Sequence, residues 1–333
     1  MAVKFTKPEI NIREKLAELD KPSGIAGEAI LRAETPQEQF NLIGAGRRNW
    51  LINGDFQVSQ RGAFTTASTY AANTYYVDRW KGGVSGSFTS QRNLNQTLPN
   101  GKITTSYRVT STGGAYAGIQ QWIEDYSVFS GQLATFSFWA KTNKAGCSAS
   151  FYTVANQFNV VSDIVADEQW HYYQATALVP TGGTAMRPEV WTGTGASSGD
   201  YLELAQVQLE LGKVATPFEH RSYGEELALC QRYYQQYDLG SYTRVGLGYS
   251  DVNNRVVAVI PTAQTIRNMT SVGHSNLTVN GNAITSTSAS VSGAGGNTVM
   301  CTFGVSGTPF TVGQVYQVLT YASSGYFFIN GEL

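Results

Sequence analysis

Charge is scarce in this chain. Only 14% of its 333 residues are Asp, Glu, Lys or Arg, against about 25% in ordinary soluble domains. The 23 basic and 24 acidic side chains nearly cancel, leaving a net charge of −1. Without a basic field to hold a phosphate backbone, nucleic-acid binding is excluded as the main task. No apolar run approaches the ~20 residues that a membrane-crossing helix needs. Cysteine is limited to Cys147, Cys230 and Cys301, far apart and odd in number. A disulfide framework is therefore not expected; three buried free thiols made in a reducing cytoplasm are. The opening run MAVKFTKPEINIREK is too charged to be the apolar core of a secretion signal. Other catalytic signatures are missing as well: there is no HExxH, no P-loop and no GxGxxG ahead of a helix. The three histidines have no nucleophile or metal partner beside them in sequence. His171, on a strand face shared with Tyr173, reads as a packing residue, and His220 as one that orients a turn.

What the chain has in quantity is glycine (35 residues), tyrosine (19) and many serines and threonines. Such a mixture suits short antiparallel strands, frequent turns and a neutral, hydroxyl-rich surface. Alternating runs mark strands at Asp55–Gln60, Ser87–Arg92, Ile103–Ser111, Leu133–Lys141, Ser148–Val154, Trp170–Val179, Arg187–Thr192 and Tyr201–Leu211. A second group covers Arg255–Ile260, Leu277–Val279, Val299–Phe303, Val315–Thr320 and Tyr326–Ile329. Asn280-Gly281 is a type I′ hairpin signal, and STSASVSGAGG (Ser286–Gly296) reads as an exposed loop. In Leu133–Lys141, Trp139 falls on the face opposite Phe136 and Phe138, so it is expected under a loop or a neighbouring copy.

Between the two groups, Gly212 and Pro217 stop the strand pattern. Ser222 and Glu225 then form a capping-box spacing, and Leu227, Cys230 and Tyr234 follow at helical spacing. The fold expected is mainly β: two β-sandwich, jelly-roll-like domains in series, joined by a short helix and preceded by an extended, partly helical segment. The boundaries are 1–48, 49–220, 221–239 for the helix, and 240–333.

Residues 1–48 are a different material from the rest, since 15 of them are charged, against 32 of the remaining 285. Asn11 and Glu14 cap a short helix carrying Ile12, Leu16 and Leu19 on one face. Thr35, Pro36 and Glu38 start a second that carries Phe40 and Ile43. Helices this short need a surface from elsewhere. Composition alone leaves open whether that surface is the body of the chain or another protein.

Several runs carry a resemblance. LELGKVATPFEHRSYGEELALCQRYYQ is similar to a joint found in tailed-bacteriophage tail-fibre and virion-appendage proteins. NWLINGDFQVSQRG with YYVDRW resembles the start of the carbohydrate-binding-module-like β-sandwich that precedes this joint there. YFFINGEL resembles the terminal strand of the domain that follows it, and the opening segment is similar to virion-protein leaders of marine and environmental phages. The resemblance implies a non-enzymatic, adhesive virion fibre, a tail fibre or receptor-binding protein, without a cofactor. It implies a homotrimer, with Leu227, Tyr233 and Tyr234 near the threefold axis. It implies attachment to another tail or connector protein through residues 1–48, with Ile12, Leu16, Leu19, Phe40 and Ile43 as the docking side chains. The sandwich is then expected to meet host surface glycans, several weak sites gaining avidity together.

For a sugar, whose C–H face lies on aromatic rings, the candidates are Trp122 with Tyr116, Gln120 and Gln121, and Trp191 beside Thr192 and Thr194. Taken singly, each tryptophan is better explained by packing in a core or a subunit interface; Trp80 reads as structural. Related sandwiches often hold one calcium, for which Asn53, Asp55, Asp200 and Glu203 stand in matching places. A turn at Asn53-Gly54-Asp55 explains some of the same residues. Two other readings remain: a capsid-decorating or scaffolding fibre without a receptor, and a hydrolase module working through Glu124 and Asp125 or Asp200 and Glu203.

Overall fold

The computed structural model describes residues 48–71, 73–82, 87–113, 116–153, 157–291, 298–320 and 323–332. The attachment candidates Ile12, Leu16, Leu19, Phe40 and Ile43 lie outside them. Twelve strands form the first lobe: β1 (Ser68–Ala71), β2 (Thr74–Tyr75), β3 (Lys81–Gly82), β4 (Ser87–Thr97), β5 (Ile103–Ser111), β6 (Gly118–Gln120), β7 (Leu133–Thr142), β8 (Cys147–Thr153), β9 (Gln157–Ile164), β10 (His171–Leu178), β11 (Met186–Trp191) and β12 (Tyr201–Leu211). One six-stranded sheet runs β1-β4-β5-β12-β7-β10, and the other runs β2-β3-β6-β11-β8-β9. All the registered pairs are antiparallel, so each strand turns alternate side chains inward. Phe136, Phe138, Leu202, Leu204 and Leu209 from the first sheet meet Ile119, Phe151, Met186 and Val190 from the second in one buried core.

The NGDF and DRW runs meet at the base of this sandwich. Asn53, in left-handed backbone at φ 61°, accepts from the Val58 amide and donates to the carbonyls of Val58 and Asp78 at 2.8 and 3.0 Å. The Trp80 indole, fully buried, donates back to the Asn53 carbonyl at 2.8 Å. Asp55–Gln60 is therefore a hydrogen-bonded loop and not the strand its alternation suggests. Its polar groups are satisfied by side chains instead of a ladder.

After β12 the chain turns back over the sheet. Glu210 accepts from the amide and hydroxyl of Thr216, and Gln208 accepts from the amide of Glu219 at 2.8 Å. This return segment buries the outer face of β12 as well as the inner one. Helix α1 (Tyr223–Gln231) follows, with both arms of the Ser222/Glu225 capping box formed. It ends at Gln231, short of the expected Leu239. Tyr234 to Leu239 is instead strand β13, because its side chains find partners across a sheet, and such pairing overrides local propensity.

The remaining strands are β14 (Arg244–Val252), β15 (Arg255–Pro261), β16 (Ser271–Ser275), β17 (Leu277–Val279), β18 (Asn282–Val291), β19 (Thr298–Val305), β20 (Val315–Thr320) and β21 (Gly325–Asn330). The region expected as a small second sandwich is a barrel, β14-β15-β19-β18-β17-β20, closed on itself, with a three-stranded sheet β13-β21-β16. Closure removes the exposed edges an open sandwich leaves. The Asn280-Gly281 turn has φ of 49° and 87° and joins β17 to β18. The Ser286–Gly296 tract is strand as far as Val291, paired with β19, where composition alone suggests a loop.

Candidate functional site

A cleft opens on the outer face of the first sheet. Its volume is about 370 Å³, within the usual range for small-ligand sites. Its floor is sheet: Ser137 and Trp139 from β7, Tyr172 from β10 and Gln206 from β12. Pro217, Phe218 and His220 of the return segment make one wall, and Asn100 and Lys102 of the β4–β5 turn make the other.

Each floor residue is placed by sheet geometry. Trp139 and Tyr172 are directly opposite in the β7–β10 register, and their rings lie 5.4 Å apart at 52°. Trp139 is half-buried and Tyr172 is 45% exposed, so both rings offer surface to the cleft. Gln206 sits in a bulge of β12 between Ala205 and Gln208, in left-handed backbone at φ 48°. A bulge re-aims a side chain that regular pleating would place elsewhere. Gln206 is 5% exposed, and its amide nitrogen finds no partner in the protein. Phe218 and His220 meet edge to face at 4.9 Å. Burial first, and the charge of Lys102 second, hold the His220 pKa below the ordinary imidazole value, so the ring is neutral near pH 7. Among the described residues, no carboxylate lines the cleft.

The predicted sugar-binding aromatics lie elsewhere, about the second sheet. Trp122 and Tyr152 meet at 6.0 Å. The Arg187 guanidinium covers both rings, 4.1 Å from the Tyr152 centroid and 4.9 Å from that of Trp122. Arg187 is in turn held by Glu189 at 2.9 Å. Trp122 is thus a packing residue whose ring already faces a cation. Tyr116 and Trp191 pair with each other at 5.9 Å, edge to face. Trp122 pairs with Tyr152 and Trp191 with Tyr116, so the predicted rings stand in two separate pairs and make no common platform.

The trimer-axis candidates are used within the chain. Tyr233 is fully buried, with the Arg79 guanidinium 3.5 Å from its ring centre. Tyr234 is 5% exposed beneath Arg61, and Leu227 packs partly buried against Ile52, Val58, Cys230 and Tyr233. Neither tyrosine has a free face for a sister copy.

The carboxylates proposed for hydrolysis or calcium are structural. Glu203 is fully buried and is bound by Ser106, Asn93, Arg108 and Lys141. Burial pushes its pKa up, but the Ser106 hydrogen bond and the Arg108 charge outweigh that and hold it below the usual value. Asp200 accepts from the Ser197 amide. Glu124 is held by Arg232, Arg267 and the Tyr233 hydroxyl, and Asp125 caps a short turn at Ser127. Burial, then Glu226, raise the Asp55 pKa to about 6. Among the described residues, no three His, Cys, Asp or Glu side chains come together as a metal site, and no helix is long and apolar enough to cross a membrane. All three cysteines are buried and free.

No protein-family model and no curated protein matches this chain. Solved structures similar to it include the enzymatically active domain of tailspike protein 4 from bacteriophage CBA120, at 19% identity over 49% of this chain and 21% of that one, with a TM-score of 0.35. The chain thus spans about a fifth of that tailspike domain's length. A xylan-binding domain from Paenibacillus barcinonensis is 12% identical over 46% of this chain and 99% of its own, with a TM-score of 0.33. A family 61 carbohydrate-binding module solved with β-1,4-galactotriose is 12% identical over 50% and 100%, with a TM-score of 0.31.

Proposed function

We propose that this protein is a structural and adhesive fibre of a phage virion, a tail fibre or receptor-binding protein that holds host surface glycans without cleaving them. The observation that carries the adhesive part is the Trp139–Tyr172 cleft. Two ring surfaces offer the flat apolar contact that sugar C–H groups need. Gln206, Asn100 and Ser137 place amides and a hydroxyl around them for the sugar's hydroxyls. The absence of any acidic side chain from the cleft lining fits retention better than hydrolysis, which uses paired carboxyl groups. The virion part rests on the sequence resemblance of the joint, the NGDF and DRW runs and the leader. In this reading residues 1–48 grip another virion protein, the chain assembles as a homotrimer, and the lobes face outward.

The test is retention of the full-length protein on host surface polysaccharide, wild type against Trp139→Ala. The expected result is loss of retention while the variant still unfolds cooperatively above the assay temperature. Equal retention removes the cleft from the account. For the virion part, gold-labelled antibody against the chain is expected on particle appendages, and its absence from purified particles overturns that assignment.

A further inference from the structure

The cleft lining carries one cation and no carboxylate. Gln206 brings a buried amide nitrogen with no partner. Lys102 is exposed on the opposite rim, and among the described residues it makes no ion pair. The β4–β5 turn that carries it is tightly set: the Leu98 amide donates to the Lys102 carbonyl and the Lys102 amide to the Asn100 side chain, at 2.9 and 3.0 Å. The base of the lysine is therefore fixed while its ammonium remains free. Its charge reaches His220 across the cleft, where it helps to keep that ring neutral. Lys102 is thus the one charged residue in a lining of aromatic rings, amides and a hydroxyl.

Such a lining has a consequence for the ligand. A neutral sugar satisfies the rings and the Gln206 amide but leaves the ammonium unused. A sugar with a carboxylate at one edge satisfies all three. It meets no carboxylate in the cleft lining, and the two acidic side chains of β12 are engaged, Glu210 by Thr216 and Glu203 by Arg108 and Lys141.

We propose that the cleft selects glycans bearing a carboxylate, with the sugar ring on Trp139 and Tyr172 and the carboxylate toward Lys102. This deepens the glycan-binding reading and rests on it. A pair at a partly exposed rim gives a preference of roughly fivefold, shrinking as salt rises.

The experiment uses full-length protein on an array that pairs each uronate-bearing oligosaccharide with its carboxyl-reduced counterpart. Wild type, Lys102→Gln and Trp139→Ala are compared at low and high salt. The expected result is that the acidic member of each bound pair is retained about fivefold more strongly at low salt. Lys102→Gln brings the two members level, and Trp139→Ala loses both. Equal retention of both members by wild type overturns the proposal and leaves glycan binding standing. So does an acidic preference that survives Lys102→Gln. Retention of no pair, or retention indifferent to Trp139→Ala, overturns the glycan reading itself and this proposal with it.

Discussion

Arg79 and Glu332, 253 residues apart in sequence, meet as a buried ion pair at 2.5 Å between guanidinium and carboxylate. The Arg79 ring contact on Tyr233 ties the first lobe to the joint, and its hydrogen bond to the Trp122 carbonyl holds the guanidinium within that lobe. Glu332 also takes Arg61 at 3.3 Å, so one carboxylate near the end of the chain pairs with two cations of the sandwich. Removing it strands a buried charge, which costs about 3–5 kcal/mol. Glu332→Ala is expected to lower the urea-unfolding free energy by about that much. A loss within experimental error would mean that solvent reaches Arg79.

Asp78 stands beside this pair, fully buried, bound by Gln60 and Arg61. Burial raises its pKa to about 6 against the pull of Arg61. A raised folded-state pKa means that the native state holds the proton more tightly than the unfolded chain does. The stabilisation is then complete below about pH 4 and is lost as pH rises through about 6. Two pKa units correspond to about 3 kcal/mol. Wild-type stability relative to Asp78→Asn is expected to decline by up to that amount between pH 4 and pH 7. Parallel stability–pH curves for the two proteins would refute the assignment.

Gly54 lies where no side chain fits. A Cβ there would stand 2.3 Å from the Val207 carbonyl oxygen and 3.0 Å from the Asn49 amide. The same backbone donates no slack, because the Val207 amide is bound to the Gly54 carbonyl at 2.7 Å. Gly54→Ala is expected to destabilise the fold by about 1–3 kcal/mol, read as a lower urea midpoint at constant slope. Gly224→Ala, on the exposed side of α1 where a Cβ meets nothing, is the control and should be neutral or stabilising.

The sheets are legible where one face is buried and the other wet. Ile103–Ser111, Leu277–Val279 and Val315–Thr320 are strands over the very residues that their alternation marks, and so is Tyr201–Leu211, although its second face is buried too. The capping box at Ser222 is equally plain, because its two hydrogen bonds are local. Strand β13 escapes such reading. Its pattern is helical in sequence, and only the pairing of Tyr234 with Phe328 and Tyr237 with Phe327, stacked across strands, makes it a strand. The cleft escapes it for the same reason. Trp139 on the polar face is a visible signal, but Tyr172, Gln206, His220 and Lys102 come from four distant segments. Gln206 points there through a bulge, which no periodicity announces. The tryptophans that look most like sugar platforms in sequence, Trp122 and Trp191, turn out to have ring partners of their own.

Trp122 therefore separates a ring that packs from a ring that binds. Its partners, Arg187 and Tyr152, form one stack on the second sheet, and a cation near a ring contributes about 0.5–1 kcal/mol at such a site. Trp122→Ala is expected to lower stability by about that cation contribution or more, since packing is lost too, while changing polysaccharide retention less than twofold. Trp139→Ala also loses a ring contact, with Tyr172, but its ring borders the cleft, so retention is what should fall beyond the change in stability. Measured side by side, the two variants locate the adhesive face. If Trp122→Ala lost retention and Trp139→Ala kept it, the second sheet and not the first would hold the sugar, with Arg187 displaced from the ring on binding.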